Sequence, residues 1–341
     1  MRIVLCLLLM LTASPLLFAD ELTLDNVTEP DPNSANEPLA KAYSLETAAK
    51  FLDQSSLHWT QSRKCFTCHT NFSYLMARPA VSSEVKAHQQ IRTALEELVE
   101  NRWAKQGPRW DAEVVMSAMA LAHNDNATTG KLHATTRKAL DRMWTLQQKD
   151  GGFDWLKCGW PPMESDDHYG AAVALIATHS APMDYANTSA AQQGLKKIHH
   201  YLKQNPPPTL HHWAMLMWAD SYGAKSLTTQ QRNAAVKELF GLQKKDGGWA
   251  IATLGQWDRA DGKEQDTTTS DGYATGFVIY TLRRSGIPAQ NKQIQKGIAW
   301  LKANQRVSGR WYTRSLNKDK KHYISNAGTA FAVLALTSCE E

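Results

Sequence analysis

The sequence is short of cysteine, of charge imbalance and of long apolar runs, and each shortage excludes something. Five cysteines in 341 residues are too few for a disulfide scaffold. The formal charge is only +5, and the basic residues are scattered apart from Lys318, Lys320 and Lys321. That trio reads as a solvated loop, and the chain carries no footprint for nucleic acid. No apolar run after the first nineteen residues is long enough to span a bilayer. No stretch alternates apolar and polar residues convincingly as a half-buried strand does, which argues against a sheet-based fold.

The first nineteen residues have the composition the rest lacks. Arg2 is followed by an apolar run, Ile3 to Leu11, and Ala19 closes a small-residue cleavage site. This is the pattern of a secretory signal peptide. The mature chain is therefore expected to be exported, periplasmic or extracellular, and not membrane-spanning. Residues 20–42, rich in Asp, Asn, Glu and Pro, read as a flexible leader, with one domain over 43–341. Cleavage removes Cys6 and leaves Cys65, Cys68, Cys158 and Cys339. Export permits a Cys158–Cys339 disulfide.

A repeat runs through that domain. Gln147 to Phe153, Gln243 to Trp249 and Gln305 to Trp311 each place Gly four residues and an aromatic six residues after Gln. An amphipathic helical pattern precedes each copy; in the third, Ile294, Gly297, Ile298 and Leu301 fall on one face. After each comes a helix apolar nearly all round: His168 to Thr178, Tyr273 to Leu282 and Ala327 to Leu336. Such helices are buried on all sides. Three weaker pairs complete six helical hairpins, with inner helices starting near residues 69, 111, 167, 211, 271 and 325. Six hairpins closed in a ring make an all-α, α/α barrel.

The Gln-x-x-x-Gly-x-Trp repeat after Lys296-Gly297-Ile298-Ala299-Trp300-Leu301 resembles the QW motif of the terpenoid cyclase and protein prenyltransferase superfamily, the squalene-hopene cyclase-like toroids. The resemblance covers residues 45–338. It implies the toroid fold and a structural role for Gln147, Gln243, Gln305, Phe153, Trp249 and Trp311. It also implies a small or apolar, isoprenoid-like ligand. The prenyltransferase zinc set is missing, since Tyr273 stands where a Cys is expected.

In such a barrel the loops that lead into the inner helices share one mouth. There the chain carries Cys65-Phe66-Thr67-Cys68-His69. C-x-x-C-H is the attachment pattern of c-type haem: two thiols tether the macrocycle and the histidine ligates iron. Haem c is the cofactor expected on these residues, with a redox role and a redox partner. The distal position would be open, which favours small-molecule or peroxide chemistry, or filled, with Met163 and His168 as candidate ligands. The alternative is a zinc-stapled loop on Cys65, Cys68, His69 and Cys158 in a non-catalytic binding barrel.

Glu164-Ser165-Asp166-Asp167 resembles the acid motif of class II terpene cyclases, with Glu in the first place. That resemblance implies a cyclase-like acid catalyst in which Asp166 protonates an alkene while Glu164, Asp167 and His168 surround it. Helix capping is the competing reading of the same acids. His211 and His212 come from the next mouth loop, and Trp110, Trp155, Trp160 and Trp257 are aromatic candidates for the cavity wall.

Overall fold

The computed structural model describes residues 21–319 and 323–340. The signal-like segment 1–19, Lys320 and Lys321 lie outside these. Among the described residues, twelve of the α-helices form six hairpins. The outer members are α1 (Leu45–Arg63), α3 (Lys86–Glu97), α5 (Ala134–Leu146), α7 (Ser189–Gln204), α9 (Thr229–Gly241) and α11 (Lys292–Asn304). The inner members are α2 (Ser73–Ala77), α4 (Asp111–Thr128), α6 (Asp167–Ser180), α8 (Leu210–Asp220), α10 (Gly272–Arg284) and α12 (Ile324–Thr337). Each inner helix packs on the next, and α12 returns to α2. The ring is closed, an α/α barrel, and no described helix is long and apolar enough to cross a membrane.

The two rings follow from side-chain distribution. On α7 only Ala191, Gly194, Leu195, Ile198 and Tyr201 are buried, one stripe of a 3.6-residue period. On α12 nearly every residue from Ile324 to Leu336 is buried. Two inner helices start where an aspartate caps them: Asp166 accepts from the Tyr169 N–H and Asp271 from the Ala274 N–H, which satisfies donors the helix leaves over. The first inner helix differs. A wide π-turn, Cys68–Phe72, leads into it, and such turns gather at functional positions.

The three glutamines do the same job. Gln147 donates to the Gly151 and Gly194 carbonyls, and Gln243 to those of Gly247 and Gln293. Gln305 donates to Gly309 and Ser44 and accepts from the Ser44 N–H. Each ties its own turn to the next outer helix, and the last joins the end of the barrel to its beginning. The glycine at each turn has φ of 96–100°. At Gly309 a Cβ would lie 2.2 Å from the Thr47 carbonyl oxygen, so only glycine fits. Trp249 and Trp311 donate from Nε1 to the Leu239 and Leu301 carbonyls.

The barrel axis is filled by rings. His211 stacks on Phe277 at 4.5 Å between centroids, and Phe277, Tyr273, Tyr280 and Trp218 all meet Phe331. Trp218 also meets His123. Trp218 on α8 thus touches α12 and α4, neither of which is its neighbour in the ring. Contacts that skip a neighbour can form only inside, so the interior is packed with side chains.

Residues 21–42, expected as a flexible leader, are packed along the barrel. Val27 is buried. Glu37 pairs with Arg310 at 2.6 Å, and Arg310 also donates to the Asp31 and Pro32 carbonyls. A polar composition predicts disorder only when the polar groups lack partners, and here the third repeat supplies them. The Cys158–Cys339 disulfide that export would permit is not formed: all four described cysteines are free. Cys158 lies in a mouth loop and Cys339 just past the far end of α12, a helix about 21 Å long.

Candidate site at the barrel mouth

Three long loops, residues 147–166, 242–271 and 305–319, interlock over the mouth. Asn317 donates to the Gly159 carbonyl and accepts from the Ala260 N–H, while Arg259 donates to the Ser315 carbonyl. Asp319 accepts from Arg259, Lys263 and Arg314. These bonds hold the three loops, with the acids of 147–166, to one another.

The C-x-x-C-H motif and the acidic loop meet. His69 Nδ1 lies 3.5 Å from Glu164 Oε1. Both face a cavity of about 190 Å³ lined also by Trp59, Thr67, Trp160, Pro161, Ser315, Tyr323 and Ile324. Asn326, on the first turn of α12, donates to Thr70 Oγ1 and fixes the π-turn beside it. Burial pushes the Glu164 carboxyl up to about 7. Cys68 is buried, and burial together with Glu164 raises its thiol well above the ordinary value. Cys65 is partly exposed.

A second cleft, of about 710 Å³, runs from the same mouth between α1 and residues 29–33 and shares Trp59 and Tyr323 with the first. Neither Trp59 nor Tyr323 stood out in the sequence, where nothing distinguishes a cavity aromatic from a packing one. Trp160 is the one tryptophan of the four candidates that lines the His69 cavity. Trp155 is buried and donates to the Met163 carbonyl, and Trp110 stands 56% exposed at the rim.

Asp166 is not the poised acid. Burial would raise its pKa, but the hydrogen bond and charge of His212, with bonds from Ser165 Oγ and the Tyr169 N–H, hold it well below the carboxylate range. His212 Nε2 lies 3.0 Å from its Oδ1. Capping and ion pairing thus occupy the residue that the cyclase-like motif would use as acid, and the carboxyl near neutrality is Glu164. Asp167 accepts from the Trp155 N–H and Lys157 Nζ, bracing the loop.

The two distal-ligand candidates are not brought to the His69 cavity. Met163 is buried, and its side chain is not in that lining. His168 is buried against the ring of His212, with both its nitrogens unpartnered and its pKa pushed down by burial to about 3. His211 Nε2 pairs with the Tyr273 hydroxyl. Among the described residues no group of three or more His, Cys, Asp or Glu is arranged to hold a metal ion, so the zinc set of Cys65, Cys68, His69 and Cys158 is not assembled.

No protein-family model matches the chain. Over 203 residues it is 24% identical to squalene–hopene cyclase of Zymomonas mobilis, which covers 59% of this chain and 24% of that protein. The chain thus spans about a quarter of the curated relative it matches. Among solved structures, ent-copalyl diphosphate synthase from Streptomyces platensis superposes with a TM-score of 0.52 at 17% identity, covering 78% of this chain and 50% of that one. A polysaccharide lyase superposes at 0.55 with 11% identity, covering 86% and 96%. The likeness is one of fold: the chain has the terpenoid cyclase-like α/α toroid, a scaffold that also carries carbohydrate chemistry.

Proposed function

We propose that the chain is an exported c-type haem protein on a terpenoid cyclase-like barrel, with haem attached at the mouth and a redox role. The observation that carries this reading is the seat of His69. Its Nδ1 faces a carboxylate, its ring lines a cavity, and two thiols stand one and four residues before it. Iron-ligating histidines commonly give their second nitrogen to such a partner.

The residues fit the group. Cys65 and Cys68 would tether it, and His69 would ligate through Nε2. The clefts of about 190 and 710 Å³ share two aromatic walls, and together reach the size of cofactor sites, ~300–1,000 Å³. Bound there, haem would supply one-electron chemistry. Trp59, Trp160 and Tyr323 would pack on an apolar face and exclude water. The raised pKa of the buried Cys68 thiol makes it a poor nucleophile in the folded protein, so attachment belongs to the chain before it closes. Production with haem-ligation machinery, followed by denaturation, should leave a covalent haem band that C65S/C68S lacks. No such band in the wild-type protein overturns the reading.

A second reading, acid catalysis on an isoprenoid-like substrate, draws on the fold and on Glu164, whose burial in an aromatic-walled cavity brings its pKa to about 7. It shifts the acid from Asp166 to Glu164. The filled axis leaves such a substrate only the mouth clefts. Turnover of a polyprenyl alkene by haem-free protein, lost in E164Q, would support it.

A further inference from the structure

Glu164 stands near the end of the 147–166 mouth loop, against His69. The seat is built. The Trp160 and Glu164 backbones pair in an isolated bridge, and the Asn317 amide clamps the preceding turn at the Gly159 carbonyl. Trp155 Nε1 donates to the Met163 carbonyl at 2.7 Å, next to Glu164 in the chain. The Glu164 side chain is 15% exposed and that of His69 is 11%, so little water reaches between them. The capping and bracing tasks of this loop fall to Asp166 and Asp167, which leaves Glu164 without a structural assignment.

We infer that Glu164 is a positioning residue for the haem iron, acting through His69. This rests on the haem reading above. A carboxylate that accepts from Nδ1–H fixes the tautomer, so that Nε2 meets the metal, and it holds the ring plane. It also makes the imidazole a stronger donor. A stronger donor stabilises ferric over ferrous iron, so Glu164 sets the site at a low reduction potential. Amide in place of carboxylate weakens that donation and raises the potential.

The test uses the full-length haem-loaded protein, its E164Q variant and E164D, read by potentiometric titration and by resonance Raman of the ferrous iron–histidine stretch. The expected result for E164Q is covalent haem retained, a tenfold shift of the reduction equilibrium toward ferrous iron, about 59 mV for one electron, and a lower stretching frequency. E164D, which keeps the charge but shortens the reach, should fall between. It carries the test if E164Q does not accumulate. An unchanged potential and stretch in the haem-loaded variants overturn the inference while the haem reading stands. A wild-type protein without covalent haem overturns both.

Discussion

His88, His123, His168 and His211 are buried imidazoles, and they set how the fold responds to acid. Burial pushes His88 and His123 down to about 4, His168 to about 3 and His211 well below its ordinary value. In the unfolded chain each takes up its proton near ~6.5. Between those values the unfolded state binds more protons, so their stabilisation is lost as pH falls. Glu164 and Asp271, raised by burial to about 7, act in the opposite sense and lose theirs as pH rises toward 7. Four imidazoles outweigh two carboxyls. Denaturant midpoints should therefore fall as pH drops from about 6.5 to about 4.5, and a midpoint that holds or rises would contradict the assignment. His168 and His211 were visible in the sequence as mouth residues, whereas His88 and His123 were not. That both His168 nitrogens go unpartnered was not visible, because a hydrogen bond left unmade has no sequence signature.

The first hairpin is joined by a buried charge pair rather than by a QW turn. Asp53 on α1 accepts from Arg78 Nε at 2.8 Å and from the Tyr74 hydroxyl at 2.7 Å, and all three are buried. Asp53→Ala strands the guanidinium, which costs about 3–5 kcal/mol, readable as a lowered urea midpoint. A loss under about 1 kcal/mol would show that water replaces the carboxylate. Element positions were largely legible. Five inner helices begin at Asp111, Asp167, Leu210, Gly272 and Ile324, within a residue of the expected starts near 111, 167, 211, 271 and 325, while α2 begins at Ser73, after the π-turn Cys68–Phe72 that occupies the expected start near 69. All-round apolarity carries that information, with an aspartate cap at Asp166 and Asp271. The packed segment 21–42 was not legible, since its partners Arg306, Ser308 and Arg310 stand more than 260 residues away.

Across the whole molecule the closure of the ring depends on the chain's two ends. Gln305 bonds Ser44, and Arg310 is buried against Glu37 and the backbone of Asp31 and Pro32. Deleting residues 21–42 leaves Arg310 without those partners, so the truncated protein should lose about 3 kcal/mol or more in chemical denaturation. Equal midpoints would mean that the segment is only draped on the surface. The fold class was legible from the repeat; the acid was not, because Asp166 and Glu164 sit two residues apart and only the fold decides which one meets His212. The ring-packed axis, with Trp218 reaching from α8 to both α4 and α12, has one more consequence. The barrel is a cup and not a pipe. A ligand that enters at the rim meets no rear exit through the packed axis and would leave the way it came, past the loops clasped by Asn317 and Asp319.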